Sequence, residues 1–127
     1  TSPSICIIDD EPDLVEACSD ILTREHYLVE TCTDGEKGLD LVKTRTFDLI
    51  LVDLMMPKIN GLAVLKEAKK ADPRCQVVVF TGYPTIETAV SAMREGAFDY
   101  LVKPFMAHQL VSTIAKALAR KRSTEAA

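Results

Sequence analysis

Apolar residues follow two alternating rhythms along the chain. Short apolar runs lie at about Ser4 to Ile8, Tyr27 to Cys32, Phe47 to Val52, Gln76 to Phe80 and Asp99 to Val102. Between them, apolar positions recur at helical spacing: Leu14, Ala17, Cys18, Ile21 and Leu22; then Leu39 and Val42; then Leu62, Leu65 and Ala68. Ile86, Ala89, Val90 and Met93 form a fourth stripe, and Leu110, Val111, Ile114, Ala115 and Leu118 form a fifth on a closing helix. Short apolar runs predict buried strands, and recurrence every three to four residues predicts amphipathic helices. The punctuation agrees. Thr33 with Glu36 resembles a capping box, and Asn60 is placed to cap the third helix. Asp72-Pro73 stops that helix, Met56-Pro57 breaks the chain after the third strand, and Gly96 stands where a helix-ending glycine belongs.

Five strands alternating with five helices predict an α/β fold with one parallel sheet covered on both faces. Right-handed crossovers leave few topologies, and the strand order 2-1-3-4-5 is a common one at this size. In that order the first and third strands are neighbours at the switch point. No internal linker, repeat or low-complexity segment interrupts the pattern, and only the tail from Ser123 looks loose.

Composition narrows the class. A chain of 127 residues suits one domain, which at this size buries roughly 65–70% of its unfolded surface. A net charge of −4 argues against a general nucleic-acid binder. The Arg120-Lys121-Arg122 run reads as cations at a helix C-terminus. The four cysteines show no metal or redox spacing. Cys6, Cys18 and Cys32 read as small core residues, Cys75 as partly exposed, and their usage fits a reducing compartment. No stretch reaches the roughly 18–20 apolar residues of a membrane span. No signal peptide is visible, and Thr1-Ser2 reads as an added remnant. The expected location is the cytoplasm.

The candidate chemistry sits where strands end. The first strand runs into Asp9-Asp10, the third into Asp53 and the fifth into Lys103, while Thr81-Gly82 follows the fourth. Open α/β sheets bind ligands just beyond the carboxyl ends of their strands. Each residue has a bland explanation alone. Asp9 and Asp10, followed by Glu11, Pro12 and Asp13, suit a helix N-terminus. Lys103 can be a snorkelling lysine, and Thr81-Gly82 ordinary turn chemistry. Asp53 has no capping role to explain it. All four together at strand ends point to a site, because clustered carboxylates repel unless a cation or shared proton offsets them. Mg²⁺ suits such a cluster: Asp10 and Asp53 can ligate it, Asp9 can hold a coordinated water, and a backbone carbonyl, that of Met55, can add an oxygen. An aspartate can also become an acyl phosphate, with Lys103 neutralising charge and the Thr81 hydroxyl donating to a phosphoryl oxygen. His26 and His108 read as surface or cap residues.

Together, Asp9-Asp10, Asp53 with Pro57 and Gly61, Thr81-Gly82 and Lys103-Pro104-Phe105 resemble the motif set of receiver domains of two-component response regulators, across essentially the whole chain. The resemblance implies a flavodoxin-like (βα)5 three-layer sandwich. It makes Asp53 the phosphoacceptor, Asp9 and Asp10 the metal pair for Mg²⁺, Thr81 and Lys103 the phosphoryl contacts, and Tyr100 the switch aromatic. The phosphoryl donor would be a sensor histidine kinase. The domain would be a switch rather than an enzyme, assisting its own phosphorylation and dephosphorylation. The stretch from Thr81-Gly82-Tyr83 to Asp99-Tyr100 is similar to receivers preceding AAA+ activators of sigma-54 transcription, the nitrogen-regulation type, with Pro84 a departure.

On this basis residues 1–122 form the receiver, and 123–127 a tail that starts a linker to an AAA+ or DNA-binding output domain. The surface of the fourth helix, last strand and fifth helix would change on phosphorylation, with Thr88, Ser91 and Arg94 as candidate partner contacts and a phosphorylation-dependent homodimer as one outcome. Neither nucleic acid nor membrane is an expected partner of the domain itself. A Mg²⁺-dependent phosphatase or phosphotransferase would need a cap insertion that no loop supplies. A nucleotide binder would need a glycine-rich loop after the first strand. A docking-only relative of receivers would not need Asp53, Asp10 and Lys103 intact.

Overall fold

The structure, a computed structural model, describes residues 2–126 in backbone and 2–123 in side chain. Thr1, half of the expected remnant, and Ala127, the end of the expected tail, lie outside the described residues. The elements alternate as β1 (Ser4–Ile8), α1 (Pro12–Arg24), β2 (Leu28–Cys32), α2 (Gly35–Thr44) and β3 (Leu49–Asp53). They continue as α3 (Gly61–Ala71), β4 (Gln76–Thr81), α4 (Ile86–Arg94), β5 (Asp99–Val102) and α5 (Ala107–Ala126). The sheet order is β2-β1-β3-β4-β5, with every pairing parallel, as the alternation predicts.

Successive strand residues point to opposite faces, so each inner strand feeds two cores. Cys6, Ile8, Ile50, Val52, Val77 and Val79 face Val42 of α2, Val64, Leu65 and Ala68 of α3, and Ala92 of α4. Ile5, Ile7, Leu49, Leu51, Val78 and Phe80 face Val15, Cys18 and Leu22 of α1 and Leu110, Ile114 and Leu118 of α5. Burial on both faces is why these strands read as unbroken apolar runs. At the edge opposite the strand ends, Asp48 accepts from the Ser4 amide at 2.8 Å and from the Lys121 ammonium at 2.6 Å, tying β1, β3 and α5 together.

Local details depart from the sequence reading in instructive ways. The cap of α2 is Asp34, not Thr33: its carboxylate accepts from the Glu36 and Lys37 amides at 2.9 and 3.2 Å. Thr33 lies one residue too early to reach them. Asn60 does cap α3, accepting from the Leu62 amide at 2.9 Å. Gly96 ends α4 at φ +100°, and His26, with φ +69°, closes α1 by donating its amide to the Thr23 carbonyl.

Ala17 and Ala115 are exposed, while Val15 and Ala117 point inward. Three-residue steps from Cys18 and Ile114 land on the latter pair. Cys75 is buried against the α3 side rather than partly exposed, because the Asp72–Cys75 turn folds it under β4. Cys6 and Cys18 are buried and Cys32 half-buried, all free thiols. Helical backbone continues through Ala126, where a loose tail from Ser123 was expected; Ser123, Thr124, Glu125 and Ala126 include no Gly or Pro to break it.

Candidate functional site

The sheet register assembles the site. Ile8 of β1 pairs with Val52 of β3, so Asp9 and Asp53 leave adjacent strands at one level. Thr81 pairs with Val102, which places Lys103 one residue past the same edge. Carboxylate oxygens of Asp9, Asp10 and Asp53 come within 4.8 Å of one another. Asp9 is wholly buried and Asp53 nearly so, while Asp10 is half-buried.

Two of the three acids are held by backbone donors. Asp9 Oδ1 accepts from the Glu11 amide at 3.0 Å, and Asp53 Oδ1 from the Met55 amide at 3.2 Å. The Lys103 ammonium donates to Asp9 Oδ2 at 2.8 Å and to Glu11 Oε1 at 3.0 Å, and lies 3.5 Å from Asp53 Oδ2. It also sits 4.8 Å from the centre of the Phe80 ring, which offers its electron-rich face. The Lys103 amide donates to the Thr81 carbonyl at 2.9 Å, and Lys103–Pro104 is a cis peptide.

Burial sets the electrostatics. It pushes Asp9 up to about 6, against the opposing pull of Lys103 and the Glu11 amide, with the Asp53 charge adding to the rise. Burial also raises Asp53, only partly offset by the Met55 amide and Lys103, and Asp10 repels its charge. Burial would lower Lys103, but its bonds to Asp9 and Glu11 hold it above the ordinary lysine value. Raised carboxylates packed together are the signature of a cluster short of positive charge. Three hard oxygen donors at this separation fit a hard dication of the Mg²⁺ kind.

A cavity of about 180 Å³, lined by Asp10, Thr33, Asp34, Gly35, Met56, Pro57 and Lys58, opens beside Asp10.

Thr81 is buried at the same edge, and its hydroxyl accepts from the Tyr83 amide at 3.0 Å, leaving its proton to donate. Gly61 presses against the loop after Asp53, its amide bonded to the Leu54 carbonyl at 3.0 Å. The Met55 side chain is exposed; its backbone bridges to Asn60. Tyr100 stands apart from the acids, half-buried on β5 against the α2–α4 core. Its phenolic oxygen lies 2.7 Å from Thr88 Oγ1 and accepts from the Thr85 amide at 3.4 Å.

That contact corrects the expected face of α4. Thr88 and Ser91 were expected as exposed partner contacts, but they are half-buried, and only Arg94 is exposed. The apolar stripe points out instead: Ile86 is 84% exposed and Tyr83, just before the helix, 74%, with Val90 and Met93 also open. Two participants went unseen in the sequence. Glu11 looked like one more acid at a helix start, and Thr85-x-x-Thr88 carried a capping signal that was not connected to Tyr100.

A doubly covered parallel sheet with an acidic cluster and an opposed lysine at its carboxyl edge is the arrangement of a phosphoryl-switch domain. The response regulator receiver domain family matches residues 5–115, and the chain belongs to that family, whose members are phosphorylation-activated signalling switches. The chain is 37% identical over 122 residues to the transcriptional regulatory protein ZraR of Escherichia coli K12, covering 96% of this chain and 28% of ZraR. It thus spans little more than a quarter of the length of ZraR and its counterparts in other strains. A CheY-like receiver domain from Methanospirillum hungatei superposes with a TM-score of 0.94 at 28% identity, covering 98% of this chain and 99% of that one. The beryllofluoride-activated NtrC4 receiver domain, solved as a dimer, superposes at 0.86 with 30% identity over 93% of this chain and 98% of its own. These relatives place the chain with receivers of the nitrogen-regulation type. No helix among the described residues is long and apolar enough to cross a membrane.

Proposed function

We propose that this domain accepts a phosphoryl group on Asp53 from a sensor histidine kinase and relays the event through α4, β5 and α5 to an output that controls transcription. The observation that carries this reading is the gathering of Asp53 with Asp9 and Asp10, carboxylate oxygens within 4.8 Å of one another, and with the Lys103 ammonium 3.5 Å from Asp53 Oδ2. Mg²⁺ held by Asp10, Asp53 and the Met55 carbonyl, with Asp9 steadying a coordinated water, would supply charge neutralisation for the transfer. The chain's own groups do the rest. An Asp53 carboxylate oxygen attacks phosphorus, the phosphorus–nitrogen bond of the donor breaks, and the imidazole leaves with the electron pair. Lys103 and the Thr81 hydroxyl bind the phosphoryl oxygens. The same groups would assist hydrolysis of the acyl phosphate, so the domain aids its own phosphorylation and dephosphorylation.

The relay follows from contacts already present. The Thr81–Thr85 segment carries the phosphoryl contact at one end and the α4 cap at the other. A shift of Thr81 toward the phosphoryl group therefore moves the Thr85–Thr88–Tyr100 hydroxyl group and the α4 face with it. Exposed Ile86, Val90 and Met93 on α4, with Val102 and Met106, offer an apolar face to a second copy. The NtrC4 receiver dimer supports that occupant. The kinase, a cytoplasmic location, and an AAA+ or DNA-binding output domain belong to the same reading; the domain itself does not bind nucleic acid.

The test uses Mg²⁺ with a small phosphodonor, read by intact mass, and Mg²⁺ with beryllofluoride, read by sedimentation. The native chain should gain one phosphoryl adduct and shift toward dimer with beryllofluoride, and Asp53→Asn should do neither. The same adduct on the Asn variant would overturn the assignment of Asp53, and an unchanged sedimentation coefficient would remove the dimer.

A further inference from the structure

Glu11 has no part in the transfer described above, yet its carboxylate lies 3.0 Å from the Lys103 ammonium, 92 residues away in sequence. It occupies the N-cap of α1, where a short polar side chain would normally accept from the first helical amides. Its side chain makes no such bond. The extra methylene carries the carboxylate past the helix amides and out to Lys103.

The ammonium has three hydrogens. Two are committed, to Asp9 at 2.8 Å and to Glu11 at 3.0 Å, while Asp53 stands off at 3.5 Å. The two holding acids differ. The Asp9 carboxylate is wholly buried, fixed in turn by the Glu11 amide, and cannot withdraw. The Glu11 side chain is 61% exposed, so water can replace Lys103 when the pair opens.

We propose that Glu11 is a positioning residue that holds Lys103 short of Asp53 and competes with the phosphoryl group for its ammonium. This rests on Asp53 being the phosphoacceptor. A phosphoryl group there places acceptor oxygens in the gap beside Lys103, and a lysine, a point charge on a flexible stem, can turn to meet them. Turning breaks the pair with Glu11. That pair exists only in the unphosphorylated arrangement, so it biases the equilibrium toward that state by its own strength. Glu11 sets a threshold for activation without touching the reacting atoms.

Beryllofluoride affinity at saturating Mg²⁺, measured by calorimetric titration, tests this in four chains: native, Glu11→Gln, Lys103→Met and the double variant. Glu11→Gln should bind about two- to fivefold tighter than native, the range expected for losing a partly exposed ion pair. In the Lys103→Met background the same substitution should change affinity by much less, because no ammonium remains to be released. Equal affinity in native and Glu11→Gln chains would overturn the proposal. So would an equal gain in both backgrounds, which would reveal a general charge effect. Failure of the native chain to bind beryllofluoride would instead overturn the assignment of Asp53.

Discussion

Gly61 shows how little freedom the backbone around Asp53 has. A Cβ at this position would lie 2.1 Å from the Asp53 carbonyl oxygen and 2.7 Å from the Leu54 Cα, both backbone atoms that cannot turn aside. The start of α3 therefore packs directly on the loop that presents Asp53 and Met55. Gly61→Ala must push that loop away, and overpacking of this kind costs about 1–3 kcal/mol. Urea unfolding should show the loss, and Mg²⁺ binding should weaken with it; an unchanged midpoint would mean that the loop yields freely. The sequence showed Gly61 only as a motif member, whereas the site acids were visible for a physical reason. Charged residues ending apolar strands at one sheet edge are anomalous as a set, so Asp9, Asp53 and Lys103 stood out together. Glu11 did not, because its partner lies across the sheet and an acid at a helix start needs no further explanation.

At the scale of elements, α4 is where the pattern misled. Its spacing identified a helix over Ile86–Arg94, but periodicity states only that an apolar stripe exists, not what covers it. Here small Ala92 faces the sheet and the larger apolar residues face out. The inward side is fastened by hydroxyls. Thr85 Oγ1 accepts from the Thr88 amide at 3.0 Å, while Thr88 Oγ1 accepts from the Thr85 amide at 3.3 Å and donates to the Thr85 carbonyl at 3.1 Å. Thr88 Oγ1 also lies 2.9 Å from Thr85 Oγ1 and 2.7 Å from the Tyr100 phenolic oxygen, so its one proton and two lone pairs are shared between the cap and Tyr100. One hydroxyl thus serves both the helix cap and the Tyr100 latch. Thr88→Val should cost about 1 kcal/mol as a lost cap contact, and should also free the Tyr100 ring, seen as a change in its NMR shifts. Thr88→Ser should restore both. A Val variant with native stability and native Tyr100 shifts would show that the two are uncoupled. The same limit explains α2, whose start was misplaced by one residue. Asp and Thr are both competent caps, and only backbone geometry chose Asp34.

For the molecule as a whole, the sheet concentrates negative charge at one edge, and this sets how stability responds to pH and metal. Alternation alone made the topology legible, because five βα units leave little choice. The protonation of the edge was not legible, because it depends on burial. Asp9 ionises near 3.8 when unfolded and near 6 in the fold, and Asp53 is raised as well. A raised folded value means the site favours folding below about pH 4 and loses that contribution as pH rises through about 6. Lys103, also raised, holds its contribution until well above neutrality, and Asp48, lowered, loses its own only in the acid range. Between pH 5 and pH 7, therefore, the acids of the site should dominate the slope. Metal-free protein should melt at progressively lower temperature across that interval, and Asp9→Asn should flatten the trend. Mg²⁺ binds the ionised form, so its stabilisation should be largest above pH 7 and fade below pH 6 as protons compete for the same oxygens. Thermal melts with and without Mg²⁺ across this range decide the matter. A metal-free melting temperature that climbs from pH 5 to pH 7 would show that Lys103 already neutralises the carboxylates, and an undiminished Mg²⁺ effect at pH 5 would show that they are ionised there and not raised by burial.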